Sequence, residues 1–141
     1  MRARVVLLVL SLLLASGAPA QDESGAGSCV GKGRLRLGWA PGKWEIPAGA
    51  GVELDLAAKK ILRDCDGKTI IVEGHTDVTG TPEANLVLGE KRAEAVKAAL
   101  VARGVPAEQL EVQAFGESRP ITRDPAPEQQ ALNRRVTLVA H

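Results

Sequence analysis

The side chains best suited to chemistry gather in one stretch. His75 and Asp77 lie in Gly74-His75-Thr76-Asp77-Val78-Thr79-Gly80, and Asn85 and Arg92 follow shortly after. An acid, an amide and a guanidinium can therefore converge on one shallow site. A carboxylate there can accept protons from a cationic group, while an arginine fork can take a carboxylate through two parallel hydrogen bonds. A catalytic use of His75 and Asp77, as in a small hydrolase, has less behind it. The chain contains no G-x-S-x-G, no H-E-x-x-H and no C-x-x-C, so the nucleophile or metal such chemistry requires has no recognisable carrier. His75 and His141 form no ligand cluster, and neither a metal nor a cofactor is expected.

Each residue also has a plain structural use. Asp77 could cap the loop or the helix after a strand. Arg92, flanked by Glu90, Lys91 and Glu94, could belong to a solvated charged face. His75 could hydrogen-bond locally to hold its loop.

Positioning these groups requires a strand, a polar loop and a long helix. Thr69-Ile70-Ile71-Val72 has the β-branched density of a strand, and Gly74 should end it. Gly80 and Pro82 mark the loop. From about Pro82 to Arg103 the apolar spacing is helical, with Leu86, Ala93, Val96 and Leu100 as the inner stripe and Gly104 and Pro106 as the stop. Asn85 and Arg92, two turns apart, then share a face. Upstream, Leu35, Leu37 and Trp39 alternate with Arg34, Arg36 and Gly38, as in a half-buried first strand. Leu54, Ala57, Ala58, Ile61 and Leu62 form a helical stripe after Pro47, closed by Asp64-Cys65-Asp66-Gly67. Leu110, Val112 and Ala114 alternate in a third strand. A proline-rich connection from Pro120 to Pro127 leads to a short helical turn, and Val136, Leu138 and Ala140 make a last strand. The order is β-α-β-α-β-(α)-β, an α/β (α+β) two-layer sandwich with helices on one face of a mixed sheet.

Residues 1–20 have the three parts of a secretory signal: Arg2 and Arg4, an apolar run from Val5 to Ala15, and the small-residue site Ala18-Pro19-Ala20. That run is well short of the roughly 20 residues needed to span a bilayer, so no transmembrane segment is expected once the signal is removed. Residues 21–32 read as a Gly-rich flexible lead, and 33–141 as one domain. Losing Arg2 and Arg4 leaves 16 basic against 17 acidic residues, net −1. With near-neutral charge, two Trp, one Phe and no Tyr, a nucleic-acid partner is not expected. In an exported chain the pair Cys29 and Cys65 reads as a disulfide tying the segment before the first strand to the end of the first helix.

The pattern as a whole resembles the OmpA-like peptidoglycan-binding domain, shared by OmpA, Pal and MotB. The residues that carry the likeness are Gly74-His75-Thr76-Asp77, Gly80, Asn85, Leu88, Arg92-Ala93, Val96 and Asn133-Arg134-Arg135-Val136. Gly89 stands where the family has serine, Trp39 where Phe is usual, and the segment before Asn133 lacks the family's Gly-Arg pair. The resemblance implies a non-catalytic periplasmic module, associated with the cell wall or outer membrane and linking peptidoglycan to an envelope partner protein. It implies that Asp77 takes the ammonium, and Arg92 the carboxylate, at the side-chain end of diaminopimelate in the stem peptide. By the same resemblance Asn85 and Arg134 line the site, and Thr79 lies on the loop that closes over the ligand. A scaffold that keeps the fold but acts by protein contacts alone is the alternative.

Overall fold

The structure, a computed structural model, describes residues 29–31, 35 and 37–141. The signal assigned to 1–20 and most of the lead assigned to 21–32 lie outside the described residues. Helix α1 spans Gly51–Asp64, strand β1 Ile70–His75, helix α2 Pro82–Val101, strand β2 Leu110–Gly116, the short helix α3 Pro127–Gln130 and strand β3 Val136–Ala140. Single 3-10 turns at Ala107–Gln109 and Ala131–Asn133 lead into β2 and β3.

Among the described residues the sheet has three strands in the order β2-β1-β3. β1 runs parallel to β2, with Ile70 opposite Leu110 and Val72 opposite Val112, and antiparallel to β3, with Val72 opposite Leu138. A parallel pair needs a crossover, and α2 supplies it. Alternation along β1 sends Ile70, Val72 and Gly74 towards the helices, where Ile70 and Val72 are fully buried against Leu54 and Ile61 of α1 and Val96 and Leu100 of α2. Ile71, Glu73 and His75 take the opposite face. The result is the two-layer α/β arrangement anticipated above.

α2 starts where the local chemistry starts it. Thr81 Oγ1 accepts the Ala84 N–H at 3.1 Å, and Pro82 occupies the first turn, where its missing N–H costs nothing. The inner stripe of α2 differs from expectation. Leu86 is 48 % exposed, and the buried positions before Ala93 are Asn85, Gly89 and Arg92. Apolar spacing could not find that face, because its inward residues are polar or lack a side chain. Leu62 of α1 is likewise outside, 50 % exposed.

The expected first strand is also amended. Leu35, Leu37 and Trp39 are buried as their alternation requires, but no strand is formed among the described residues of that stretch. Trp39 instead donates its backbone N–H to the Arg134 carbonyl at 3.4 Å, just ahead of β3, and Ala40-Pro41-Gly42 then turns the chain away. Cys29 and Cys65 are bridged, and Cys65 is the residue that ends α1. A closed loop of this size contributes about 3–4 kcal/mol in the chain-entropy account.

Candidate functional site

β1 is the strand at which the sheet order reverses, its parallel partner on one side and its antiparallel partner on the other. In open α/β sheets the crevice outside the carboxyl end of such a strand is where ligands bind. The polar residues of this chain converge there. β1 ends at His75 with a register shift against β2, so that His75 pairs with Gly116. Thr76 donates its N–H to the Gly116 carbonyl at 2.8 Å. Gly116 has φ of +55°, and a Cβ there would lie 3.0 Å from the Leu86 nitrogen, so glycine lets the end of β2 close onto the start of α2.

Asp77 is the centre of the cluster. Its Oδ1 accepts the Thr79 N–H at 2.9 Å, which folds the loop back on itself, and its Oδ2 accepts from Arg134 Nη1 at 2.9 Å. The two side chains of this ion pair keep 8 % and 12 % of their surface exposed. Burial by itself would raise the Asp77 carboxyl, but the Thr79 backbone N–H and Arg134 outweigh it and hold the pKa below the ordinary value. Arg134 is steadied by a second bond, Nε to the Trp39 carbonyl at 2.6 Å. Asn85 Nδ2 donates to the Asp77 carbonyl at 3.2 Å and to Glu117 Oε2 at 3.0 Å. Asp77, Thr79, Asn85 and Arg134 are thus brought together, and Glu117 joins them. Sequence reasoning missed Glu117; its place directly after β2, beside the end of the parallel β1, was the available signal.

Arg92 is held differently. It is fully buried and spends its guanidinium on three carbonyls: Lys43 at 2.7 Å from Nε, His75 at 3.0 Å from Nη1 and Ala40 at 3.4 Å from Nη2. Burial pulls its pKa down to about 10, with the Asp77 charge opposing that and Arg134 adding to it. It remains protonated at neutral pH. The solvated charged face is real but does not include Arg92: Glu90, Lys91 and Glu94 point outward, with the Lys91 ammonium 4.4 Å from the Trp44 ring centroid. Arg92 pins the 40–43 turn and the end of β1 to α2, and its charge stands behind the Asp77–Arg134 pair.

His75 is 2 % exposed and stacks on Phe115, ring centroids 5.4 Å apart. Its Nε2 lies 3.4 Å from Thr137 Oγ1 and 3.6 Å from Glu73 Oε2, while Nδ1 has no hydrogen-bond partner among the described residues. Thr137 gives its proton to Glu73 at 2.9 Å, which leaves its oxygen to accept from an Nε2–H tautomer. Burial lowers the His75 pKa against the opposing pull of Glu73. Its ring faces the side of the sheet away from α2. Asn133 is fully buried and saturated: Oδ1 accepts from Ile121 and Thr122, and Nδ2 donates to Thr122 and Gln130. It fastens the proline-rich connection.

The fold and the site define a two-layer α/β domain with a largely buried acid–guanidinium pair at the carboxyl end of its central strand. Residues 39–134 match the model of the OmpA family, and the chain belongs to that family. It is 44% identical over 85 residues to the "Peptidoglycan-associated lipoprotein" of Pseudomonas aeruginosa, a match covering 60% of this chain and 49% of the relative. It is 35% identical over 127 residues to the "Peptidoglycan-binding protein ArfA" of Mycobacterium bovis, covering 90% of this chain and 38% of that protein. The chain therefore spans about half the length, or less, of these curated relatives. Among solved structures, the peptidoglycan-associated lipoprotein of Burkholderia pseudomallei is similar with a TM-score of 0.70 and 33% identity, covering 75% of this chain and 90% of that one. The C-terminal domain of Helicobacter pylori MotB shares the fold with a TM-score of 0.70 at 24% identity, covering 75% and 83%.

Proposed function

We propose that this chain binds peptidoglycan in the cell envelope, without catalysing a reaction, through the diaminopimelate end of the stem peptide. The observation that carries the reading is the Asp77–Arg134 pair, largely buried at the carboxyl end of β1 beside Asn85, with Arg134 its more exposed member. Relatives named for peptidoglycan association or binding support it. The side chain of diaminopimelate ends in an ammonium and a carboxylate on one carbon. Asp77, held ionised by its neighbours, receives the ammonium. Arg92 receives the carboxylate, and to do so it exchanges its longest bond, to the Ala40 carbonyl at 3.4 Å, for the ligand oxygen as the 40–43 turn shifts. Thr79 and Asn85 fix the loop around the acid. Export through the signal in residues 1–20 would deliver the chain to the periplasm, where an envelope protein joined to it would be linked to the wall.

A second reading is favoured by the complete burial of Arg92: the ligand carboxylate goes to Arg134, the cation that reaches the surface beside Asp77. Titration with a purified diaminopimelate tripeptide and its lysine counterpart separates the two. The lysine peptide keeps the ammonium and lacks the carboxylate. Asp77→Asn weakens binding of both peptides in either reading. With Arg92 as the partner, Arg134→Gln still prefers diaminopimelate; with Arg134 as the partner, that preference disappears. Unchanged binding in Asp77→Asn would refute both.

A further inference from the structure

Asn85 bonds two oxygens that can only accept, the Asp77 carbonyl and the Glu117 carboxylate. Its orientation is therefore set by chemistry: Nδ2 faces both, and Oδ1 is the atom left over. Only 3 % of the Asn85 surface is exposed, and among the described residues no donor reaches Oδ1, which keeps some contact with solvent rather than being enclosed. Glu117 is in the same condition. It is half-buried directly after β2, Asn85 holds its Oε2, and its Oε1 takes no donor from the described residues.

The charges sharpen the point. The negative charge of Asp77 is already matched by Arg134 at 2.9 Å. Glu117 has no Lys, Arg or His within ion-pair distance among the described residues. A ligand ammonium arriving at Asp77 alone would meet a cluster that carries, with Arg92 behind the pair, a net positive charge. Glu117 supplies a second negative charge with no cation paired to it among the described residues.

Resting on the peptidoglycan reading above, the geometry points to Glu117 as a second ligand-binding acid, one that selects a free primary ammonium. A primary ammonium offers three N–H donors. The Asp77 carboxylate, Asn85 Oδ1 and Glu117 Oε1 are three acceptors of matching kind, and Asn85 links them by bonding the backbone carbonyl of Asp77 and the carboxylate of Glu117. The site is thereby selective against stem peptides whose side-chain amine is blocked, because an amide offers a single N–H and no charge.

The test uses the full chain as purified and two probes: the diaminopimelate tripeptide, and the same peptide acetylated on its side-chain amine. Glu117→Gln keeps an oxygen to accept from Asn85 and removes the charge. Its affinity for the free-amine peptide should fall about tenfold, as for loss of one charge-assisted hydrogen bond, with little change for the acetylated peptide. Glu117→Asp, which restores the charge, should recover part of the loss, and both variants should melt close to the native chain. Native-like affinity and discrimination in Glu117→Gln would overturn the inference while leaving the peptidoglycan reading intact. A native chain that binds neither peptide would overturn the reading and the inference with it.

Discussion

Gly89 sits inside a long helix, where glycine costs about 1 kcal/mol relative to alanine. Helix propensity alone says that Gly89→Ala should stabilise the chain by that amount. The packing says the opposite. A Cβ at Gly89 would lie 2.7 Å from the Gly74 carbonyl oxygen and 3.3 Å from the Gly116 nitrogen. Both neighbours are backbone in the sheet and have no rotamer to change. Restoring ordinary contact moves α2 away from β1 by most of an ångström, and overpacking of this kind costs about 1–3 kcal/mol. Subtracting the propensity gain leaves a net loss of about 1 kcal/mol at mid-range. Gly74→Ala should be worse, because its Cβ would fall 1.8 Å from the Gly89 oxygen. Urea titration followed by circular dichroism is the assay: the midpoint should fall in the order native, Gly89→Ala, Gly74→Ala, with the slope unchanged. The same shift carries Asn85 away from Asp77 and Glu117, so peptide affinity should fall in the same order. A Gly89→Ala chain as stable as the native one, or more so, would refute the claim that α2 is seated by backbone-to-backbone contact.

Other consequences are as direct. Arg92→Met roughly keeps the volume but takes the guanidinium donor from the buried His75 carbonyl and from the Lys43 carbonyl, while the Ala40 carbonyl keeps the Lys43 N–H, and should cost about 1–3 kcal/mol by urea titration even without ligand. The acid side of the stability profile has a definite sign. Burial holds His75 below its ordinary value, so the unfolded chain binds the proton first and stability falls as the pH drops below about 6.5. His75→Gln should flatten that part of the curve. Glu73 is held low because its bonds to His75 and Thr137 outweigh burial, and Asp77 because the Thr79 N–H and Arg134 do. Their stabilisation is present above the unfolded-state value near 4 and is lost as the pH falls further, giving a second decline. Replacing both Cys29 and Cys65 by alanine should lower stability by about 3–4 kcal/mol, read from the urea midpoint.

How much of this was legible in the sequence depends on which physical signal each residue carries. β1, β2 and β3 announced themselves through β-branched density and strict alternation, and Pro82 and Gly104 bracketed α2 closely. The inner face of α2 was misread at Leu86. Apolar periodicity assumes that buried means apolar, and here Asn85, Gly89 and Arg92 are turned in to serve the strand end. Asp77, Asn85 and Arg92 could be grouped from their spacing, and Thr79 and Arg134 joined them through the family resemblance, but neither signal reveals burial. It gave no sign that Arg92 would be covered completely, with three carbonyls as its partners. Glu117, far along the chain from Asn85, enters the site only through the β1–β2 register, which no local pattern encodes. The helical cost of Gly89 was visible; its compensation, the close approach of Gly74, was not.

The central claim is that the acid–guanidinium site reads the diaminopimelate end of the peptidoglycan stem. Co-sedimentation of the chain with two purified walls, one of diaminopimelate type and one of lysine type, tests it most directly. The account predicts pelleting with the diaminopimelate wall, weak or no pelleting with the lysine wall, and loss of the former in Asp77→Asn. Equal pelleting with both walls, or with neither, would contradict it and favour a scaffold that works by protein contacts.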